Sequence, residues 1–322
     1  MRVVVIGSGL AGVTVAEGLA RDGSRQVTLV TAESHGYYSR PRLSHGFSGG
    51  GGVVLKSFAA LAPVRVLAGT RAERIDRKNQ VLELAEARVP YDLLVLAPGS
   101  AARIPPPLAQ FREQFFTLNS LDDLLALGRL RQSVLDRERR PRWAIIGGGL
   151  IGCEVASDLN KAGDRVTLFH REARLLELQL DEQGSRALHE HFRHGGIEVL
   201  YNQDVRAMFP PGDFDAVVVA TGFAPRLELA RDAGLAVNRG IVVDGFLRTE
   251  DPAIYAAGDA AEVGGRLYPF VAPIRSQALF LAGHLARPAA APWTPPPFRP
   301  MVKIHGFRTP DAEQRQGVAI RG

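Results

Sequence analysis

The 322-residue sequence predicts an α/β protein of two doubly wound, three-layer units, ending in a short or truncated C-terminal segment. Two observations predict it. A β-branched run, a glycine-rich turn and a stretch of helix formers occur twice, as VVVIGSGLAG at 3–12 and AIIGGGLIGCE at 144–154. A hydrophobic strand closing on a turn of small residues also occurs twice, as YDLLVLAPG at 91–99 and FDAVVVATG at 214–222.

The elements follow in order. The first unit opens with a strand over 2–6, a helix over about 10–21 and a strand over 27–30; β-rich segments lie at 64–67 and 81–84, and 91–99 reads as a buried parallel strand. RIPPPL at 103–108 breaks the pattern and marks the exit from this unit. Asn119-Ser120 caps a helix near 120–138. The second unit continues with a strand at 143–146, a helix at 150–162, a strand at 165–169, a helix at about 181–194, a strand at 197–200 and the strand within 214–222. Strands near 241–243 and 253–256 and a turn at Gly258-Asp259 follow. RPAAAPWTPPPF, from about 288, is either an extended linker or an ordered polyproline stretch packed on the surface, and 299–322 is too short for a core of its own.

Both glycine turns read G-x-G-x-x-G, as Gly7, Gly9 and Gly12 and as Gly147, Gly149 and Gly152. The first glycine allows a tight turn, the second lets backbone approach a pyrophosphate and the third packs helix on strand, so that free N–H groups and a helix dipole face the phosphates. Two such sites in the required context predict two Rossmann-like domains and two bound dinucleotides, with Leu10, Ala11, Leu150 and Ile151 beside the glycines. Glu33 follows the second strand, where an acid accepts hydrogen bonds from an adenosine ribose.

The formal net charge is +5, but the basic residues are scattered apart from RLRQSVLDRERRPRW at 129–143, which reads as a solvated helix end. Nucleic-acid binding is therefore not expected, whereas an acidic protein partner is. No apolar run approaches a membrane span, no signal peptide opens the chain, and a cytoplasmic protein is expected. Cys153 is the single cysteine and reads as a small buried hydrophobe. His189, His191 and His194 read as solvated helix residues on different faces, and no metal site is expected.

The paired fingerprints, the paired strand turns and IYAAGDAAEV at 254–263 resemble the FAD-dependent pyridine-nucleotide oxidoreductases, over nearly the whole chain to about 287. YYSRPRLSHGFS at 37–48, GGGLIGCEVASDL at 147–159 and AGLAVNRGIVVDGFLRTEDPAIYAAGDAAEV at 233–263 are most similar to rubredoxin and flavorubredoxin reductases. The resemblance implies an FAD domain formed by 1–108 and 240–287, interrupted by an NAD(P)H domain over 109–239, with 288–322 as a proline-rich linker and the remnant of a C-terminal domain. It assigns FAD to the first fingerprint and NAD(P)H to the second, and it places Asp259 on the ribitol–phosphate region of FAD. Ala97, Gly99, Gly222 and Gly258 are cofactor-binding positions in the same reading, as is Pro41. Arg40 and Glu154 are expected to act as an Arg–carboxylate pair between flavin and nicotinamide.

No cysteine pair stands beside the flavin segment, so electrons are expected to leave the flavin directly. The implied activity is an NAD(P)H:rubredoxin-type reductase that delivers electrons to a small, acidic, iron-containing protein. The alternatives are the ferredoxin reductase of an oxygenase system, which shares every motif, and a catalytically impaired flavin-binding scaffold. His45, where such ferredoxin reductases carry lysine, is one sign against the first alternative. In HREARLL at 170–176, Arg171 and Arg174 stand where an NAD-binding unit carries an acid, which predicts NADPH, although Glu172 offers an acceptor for an NADH ribose.

Overall fold

The computed structural model describes residues 1–21, 23–49, 52–204 and 212–309, so 310–322, the end of the expected linker and remnant at 288–322, lies outside the described residues. A five-stranded parallel sheet is ordered Ile254–Ala256, Leu93–Leu96, Arg2–Ile6, Gln26–Val30, Arg65–Leu67. Its strands carry near-continuous Val, Ile and Leu because both faces are covered. Helix α1 (Leu10–Ala20) and the long C-terminal helix described below pack together on one face; at Gly18 an added Cβ would stand 2.7 Å from the Ala282 side chain. An antiparallel three-stranded layer, Ala72–Asp76, Val81–Leu84 and Arg88–Pro90, adds Ile75, Leu82 and Leu84 to the same core.

The second sheet repeats the plan. Its parallel order is Glu198–Leu200, Arg165–Phe169, Arg142–Ile146, Ala216–Val219, and Trp143, Ile145 and Leu168 are fully buried in its core. Helix α2 (Leu121–Leu135) begins at Ser120, whose side chain accepts from the Asp123 N–H while the Asp123 carboxylate accepts from the Ser120 N–H, a reciprocal cap where the sequence predicts an N-cap. Helices α3 (Leu150–Lys161) and α4 (Glu182–His194) pack on this sheet, and a short helix α5 (Glu228–Asp232) packs against the three-stranded layer of the first unit. The chain passes from the first unit to the second and back through the antiparallel pair Ser100–Ala102 and Phe223–Pro225, and it meets the second unit again at Ile304, which is buried in that core.

The repeated strand turns are structurally equivalent. Leu93–Leu96 lies beside Arg2–Ile6 as Ala216–Val219 lies beside Arg142–Ile146, with Val3 opposite Leu93 and Trp143 opposite Ala216. Helix α6 (Val271–Ala286) had no counterpart in the sequence reading. Past it the proline-rich passage is an ordered surface segment: Trp293 is buried, donates from its backbone N–H to the Gly245 carbonyl at 2.7 Å and from its indole to Ser276 Oγ at 3.0 Å, and stacks edge-on with Tyr268.

Candidate flavin and nicotinamide site

Both fingerprints stand at the carboxyl ends of the central strands, and their glycines divide into packed and open positions in the same way. Gly7 has φ +101°, and a Cβ there would lie 2.0 Å from the Ala97 carbonyl oxygen; Gly147 has φ +114° and a Cβ would lie 2.4 Å from the Ala220 oxygen. A Cβ on Gly12 would stand 1.8 Å from the Gly7 oxygen, and one on Gly152 1.8 Å from the Gly147 oxygen. At Gly9 and Gly149, by contrast, an added Cβ meets no atom within 4 Å. Each is also the N-cap of its helix and offers no side-chain cap to the first-turn N–H groups. These open, uncapped helix starts fit a pyrophosphate at each.

Beside the first fingerprint, Ala97 and Gly99 end the Leu93–Leu96 strand, and Gly258-Asp259 follows Ile254–Ala256. Leu10 and Ala11 begin α1, and Ala11 lies 3.1 Å from where a Gly258 Cβ would stand. The Asp259 carboxylate accepts from Ser100 Oγ at 2.7 Å; burial pushes its pKa up, opposed by that hydrogen bond and by the charges of Arg40 and Arg226. Gln277, from α6, takes the Gly258 N–H on its side-chain oxygen at 2.8 Å. Its amide Nε2 is fully buried with no partner among the described residues. A buried donor without an acceptor is costly, so an acceptor-rich ligand beside Gly258 suits this pocket. Gln277 and Ser100 went unrecognised because they act through a helix and a strand pair that the sequence reading did not contain.

The expected Arg40–Glu154 pair does not form. Arg40 and Pro41 open a 3-10 turn, Arg40–His45, and the Arg40 guanidinium donates to the Asn119 carbonyl at 2.6 Å and to Glu33 Oε1 at 3.2 Å. Tyr38 donates to the same Glu33 oxygen at 2.8 Å. Glu33 is thus tied to Arg40, its near neighbour in sequence. Glu154 is placed on α3 beyond Leu150, Ile151 and Gly152, and it accepts from Ser44 Oγ at 2.6 Å and from the Lys303 N–H at 3.3 Å. It is buried, which raises its pKa against the opposing effects of Ser44, His45 and Lys303.

Cys153 is fully buried, lies 3.3 Å from the Gly148 carbonyl, and has its pKa driven far up by burial, the environment of an inert thiol. The histidines of α4 do not share a face: His189 meets Tyr201, His194 meets the Glu190 carbonyl, and His191, expected in solvent, bonds the His305 carbonyl at 2.9 Å. After the Arg165–Phe169 strand, His170 turns inward and accepts from the Gly148 N–H at 3.0 Å. Arg171 is exposed and held by Glu172 at 2.6 Å. Arg174 is spent on structure, donating to the Leu180 and Glu177 carbonyls at 2.7 and 2.9 Å and to Ser185 Oγ at 3.0 Å. Gly222 follows Ala216–Val219, and its carbonyl accepts from the Arg103 N–H.

The model of the pyridine nucleotide-disulphide oxidoreductase family matches residues 1–275. The chain belongs to that family. It is 35% identical over 329 residues to a nitric oxide reductase FlRd-NAD(+) reductase of Klebsiella pneumoniae (strain 342), covering 96% of this chain and 84% of the relative. Among solved structures it is similar to putidaredoxin reductase in covalent complex with putidaredoxin, with a TM-score of 0.81 and 30% identity over 92% of this chain and 78% of the other. It is also similar to NADH:rubredoxin oxidoreductase from Clostridium acetobutylicum, with a TM-score of 0.81 and 26% identity over 95% and 80%. The family is named for a disulphide, yet the single cysteine of this chain can form no internal one. No helix among the described residues is long and apolar enough to cross a membrane.

Proposed function

We propose that this chain is an NADH-dependent flavoprotein reductase that passes electrons singly to a small iron protein of the rubredoxin type. The observation that carries the reading is the pair of open, uncapped helix starts at Gly9 and Gly149 in one chain, one for each dinucleotide. FAD belongs at the first. Gly7, Gly9, Leu10, Ala11 and Gly12 would hold its pyrophosphate, Ala97, Gly99, Gly258, Asp259 and Gln277 its ribitol side, and Glu33 its adenosine ribose. When bound, the flavin supplies the conversion of two-electron hydride chemistry into one-electron steps. Arg40 and Pro41 would line the same site on the side of Glu33, with Arg40 held in place by Glu33 and the Asn119 carbonyl.

The second fingerprint, Gly147, Gly149, Leu150, Ile151 and Gly152, would hold the nicotinamide nucleotide, with Gly222 across from it and Glu154 at the junction of the two sites. Glu154 sits under a lid formed by Ser44 from one unit and Lys303 from the C-terminal segment, where water is largely excluded. There its carboxyl can orient a nicotinamide amide and hold or give up a proton. The division 1–108 with 240–287 for FAD, and 109–239 for the nucleotide, is part of this proposal.

The arginines at 171 and 174 favour NADH rather than the NADPH expected from the sequence. A 2′-phosphate needs free guanidinium donors, but Arg174 has three of its five N–H groups on two carbonyls and a hydroxyl, and Arg171 faces Glu172. The relatives named as NAD(+) reductases point the same way. Wild-type kcat/KM should favour NADH at least tenfold, roughly the 1.4 kcal/mol or more that one missing charge-assisted bond is worth. Arg171→Ala should move the ratio less than about threefold. A preference for NADPH that Arg171→Ala abolishes would reverse the assignment.

The acceptor is tested by supplying NADH and comparing the rates of rubredoxin and ferredoxin reduction, with rubredoxin expected to be faster. With a net charge of +5, docking of an acidic acceptor should be steered by charge. The second-order rate with rubredoxin should fall steeply as salt shortens the Debye length from ~10 Å at 0.1 M to ~3 Å at 1 M, while flavin reduction by NADH changes less. Equal salt dependence of both half-reactions would contradict steering.

A further inference from the structure

The buried carboxyl of Glu154 is joined to a more accessible imidazole by a single hydroxyl. Ser44 Oγ lies 2.6 Å from Glu154 Oε2 and 3.0 Å from His45 Nδ1, and His45 Nε2 lies 2.9 Å from the Lys303 carbonyl oxygen. Ser44 and Glu154 are buried, whereas His45 is half-buried. The Lys303 carbonyl is an acceptor only, so Nε2 must carry a hydrogen. The remaining protons then have two arrangements that satisfy every contact.

In the first, a neutral Glu154 carboxyl donates to Ser44, and Ser44 donates to an unprotonated Nδ1. In the second, Ser44 donates to the Glu154 carboxylate and a protonated Nδ1 donates to Ser44. Adding a proton to both ends leaves the serine hydrogen without an acceptor, and removing it from both leaves one contact without a hydrogen. The line is complete only when the two ends share one proton.

We propose that Ser44 and His45 form a proton path to Glu154, deepening the role given to Glu154 above. In the step, the Oε2–H bond of Glu154 breaks as a new O–H bond forms on Ser44, the original Ser44 O–H breaks, and an N–H bond forms on His45 Nδ1. The carboxyl becomes a carboxylate and the imidazole an imidazolium; nothing is oxidised or reduced, and the proton count is unchanged. Glu154 can thereby change charge inside a closed site without water entering it. Ser44 and His45 act through Glu154 and are positioning residues.

Other ionisable groups stand near the line on α3 and on the C-terminal segment. On α3 these are Cys153 beside Glu154, then Asp158 and Lys161; on the C-terminal segment they are Lys303 and His305. The His305 ring meets His45 edge-on at 5.4 Å and bonds Asp158 at 2.8 Å, so it is occupied elsewhere.

The test uses flavin-loaded protein labelled with 15N in histidine and 13C at the glutamate carboxyl, with signals assigned through His45→Gln and Glu154→Gln. Across a pH titration the Glu154 carboxyl carbon and His45 Nδ1 should move together, in the same steps, as coupled sites do. Ser44→Ala should separate the two curves and Ser44→Thr should rejoin them. Superimposed curves that persist unchanged in Ser44→Ala, or wild-type curves that never coincide, would overturn the path. Coincident curves combined with wild-type flavin reduction by NADH in Glu154→Gln would leave the path standing and remove Glu154 from the nicotinamide site.

Discussion

Gly12→Ala should yield a protein without flavin, and Gly152→Ala a yellow protein that dithionite bleaches but NADH does not. In each case the new methyl would stand 1.8 Å from the carbonyl oxygen of the first glycine in its own turn. That oxygen belongs to backbone and cannot swing aside as a side chain would. Helix α1 or α3 must therefore tilt away from its strand, and the N–H groups at Gly9 or Gly149 lose their aim at a pyrophosphate. Nucleotide retention at the affected site should fall by at least a hundredfold, about 2.7 kcal/mol or more, since several hydrogen bonds to charged oxygens are lost together. The two variants also serve as each other's folding control. If Gly152→Ala loses flavin and Gly12→Ala keeps it, the assignment of the two fingerprints is reversed.

The second large effect is expected at Asp158. It is fully buried on α3, where the Phe47 and Ser48 N–H groups, the Ser48 hydroxyl and the His305 ring converge on its two oxygens. Burial alone would raise its pKa, but these donors outweigh burial and lower it. Asp158 therefore binds the segment after Arg40–His45 and the C-terminal segment to the nucleotide unit. Asp158→Asn keeps the shape but turns an NH2 toward donors, and it should cost about 2–4 kcal/mol at pH 7 in denaturant unfolding.

The sign with pH follows from the lowered value. A carboxylate whose folded pKa lies below its unfolded value stabilises the fold fully above the unfolded value, near 3.9, and that contribution is lost as pH falls through the folded pKa. The gap between wild type and Asp158→Asn should hold from pH 7 to about 5 and narrow below about 4. A gap that widens toward acid would show that Asp158 is not held as a carboxylate.

Both glycine turns were legible because their demands are local: an α-helix cannot start that close to its strand with a side chain at Gly12 or Gly152. The parallel strands were legible for the same kind of reason, as β-branched runs between turns. Helix α6 was not. Its Pro273 looks like a breaker, yet in the first turn the missing N–H costs nothing, and burial against α1 leaves no clean polar face to read. The partner of Arg40 was misread because sequence shows charges and not distances; Tyr38 and Arg40 lie on a short path back to Glu33 and satisfy it first. Arg174 was misread for the opposite reason, since its donors are claimed by carbonyls of the turn that follows it. The Ser44–His45–Glu154 line joins residues more than a hundred positions apart and is fixed by the packing of the Arg40–His45 turn on α3.

The central claim is that electrons travel from nicotinamide to flavin to a one-electron acceptor without any thiol, and Cys153→Ala makes the chain free of thiols altogether. Cys153 is buried in the second unit, and truncating it should cost only about 1 kcal/mol of stability. The decisive measurement is an anaerobic titration of flavin-loaded Cys153→Ala protein, first with NADH and then with oxidised rubredoxin, followed in the visible spectrum. The account predicts that NADH bleaches the flavin band as in wild type, and that rubredoxin restores it as each NADH reduces two irons, one electron to each. A flavin that stays oxidised under NADH, or that stays bleached when rubredoxin is added, would contradict it.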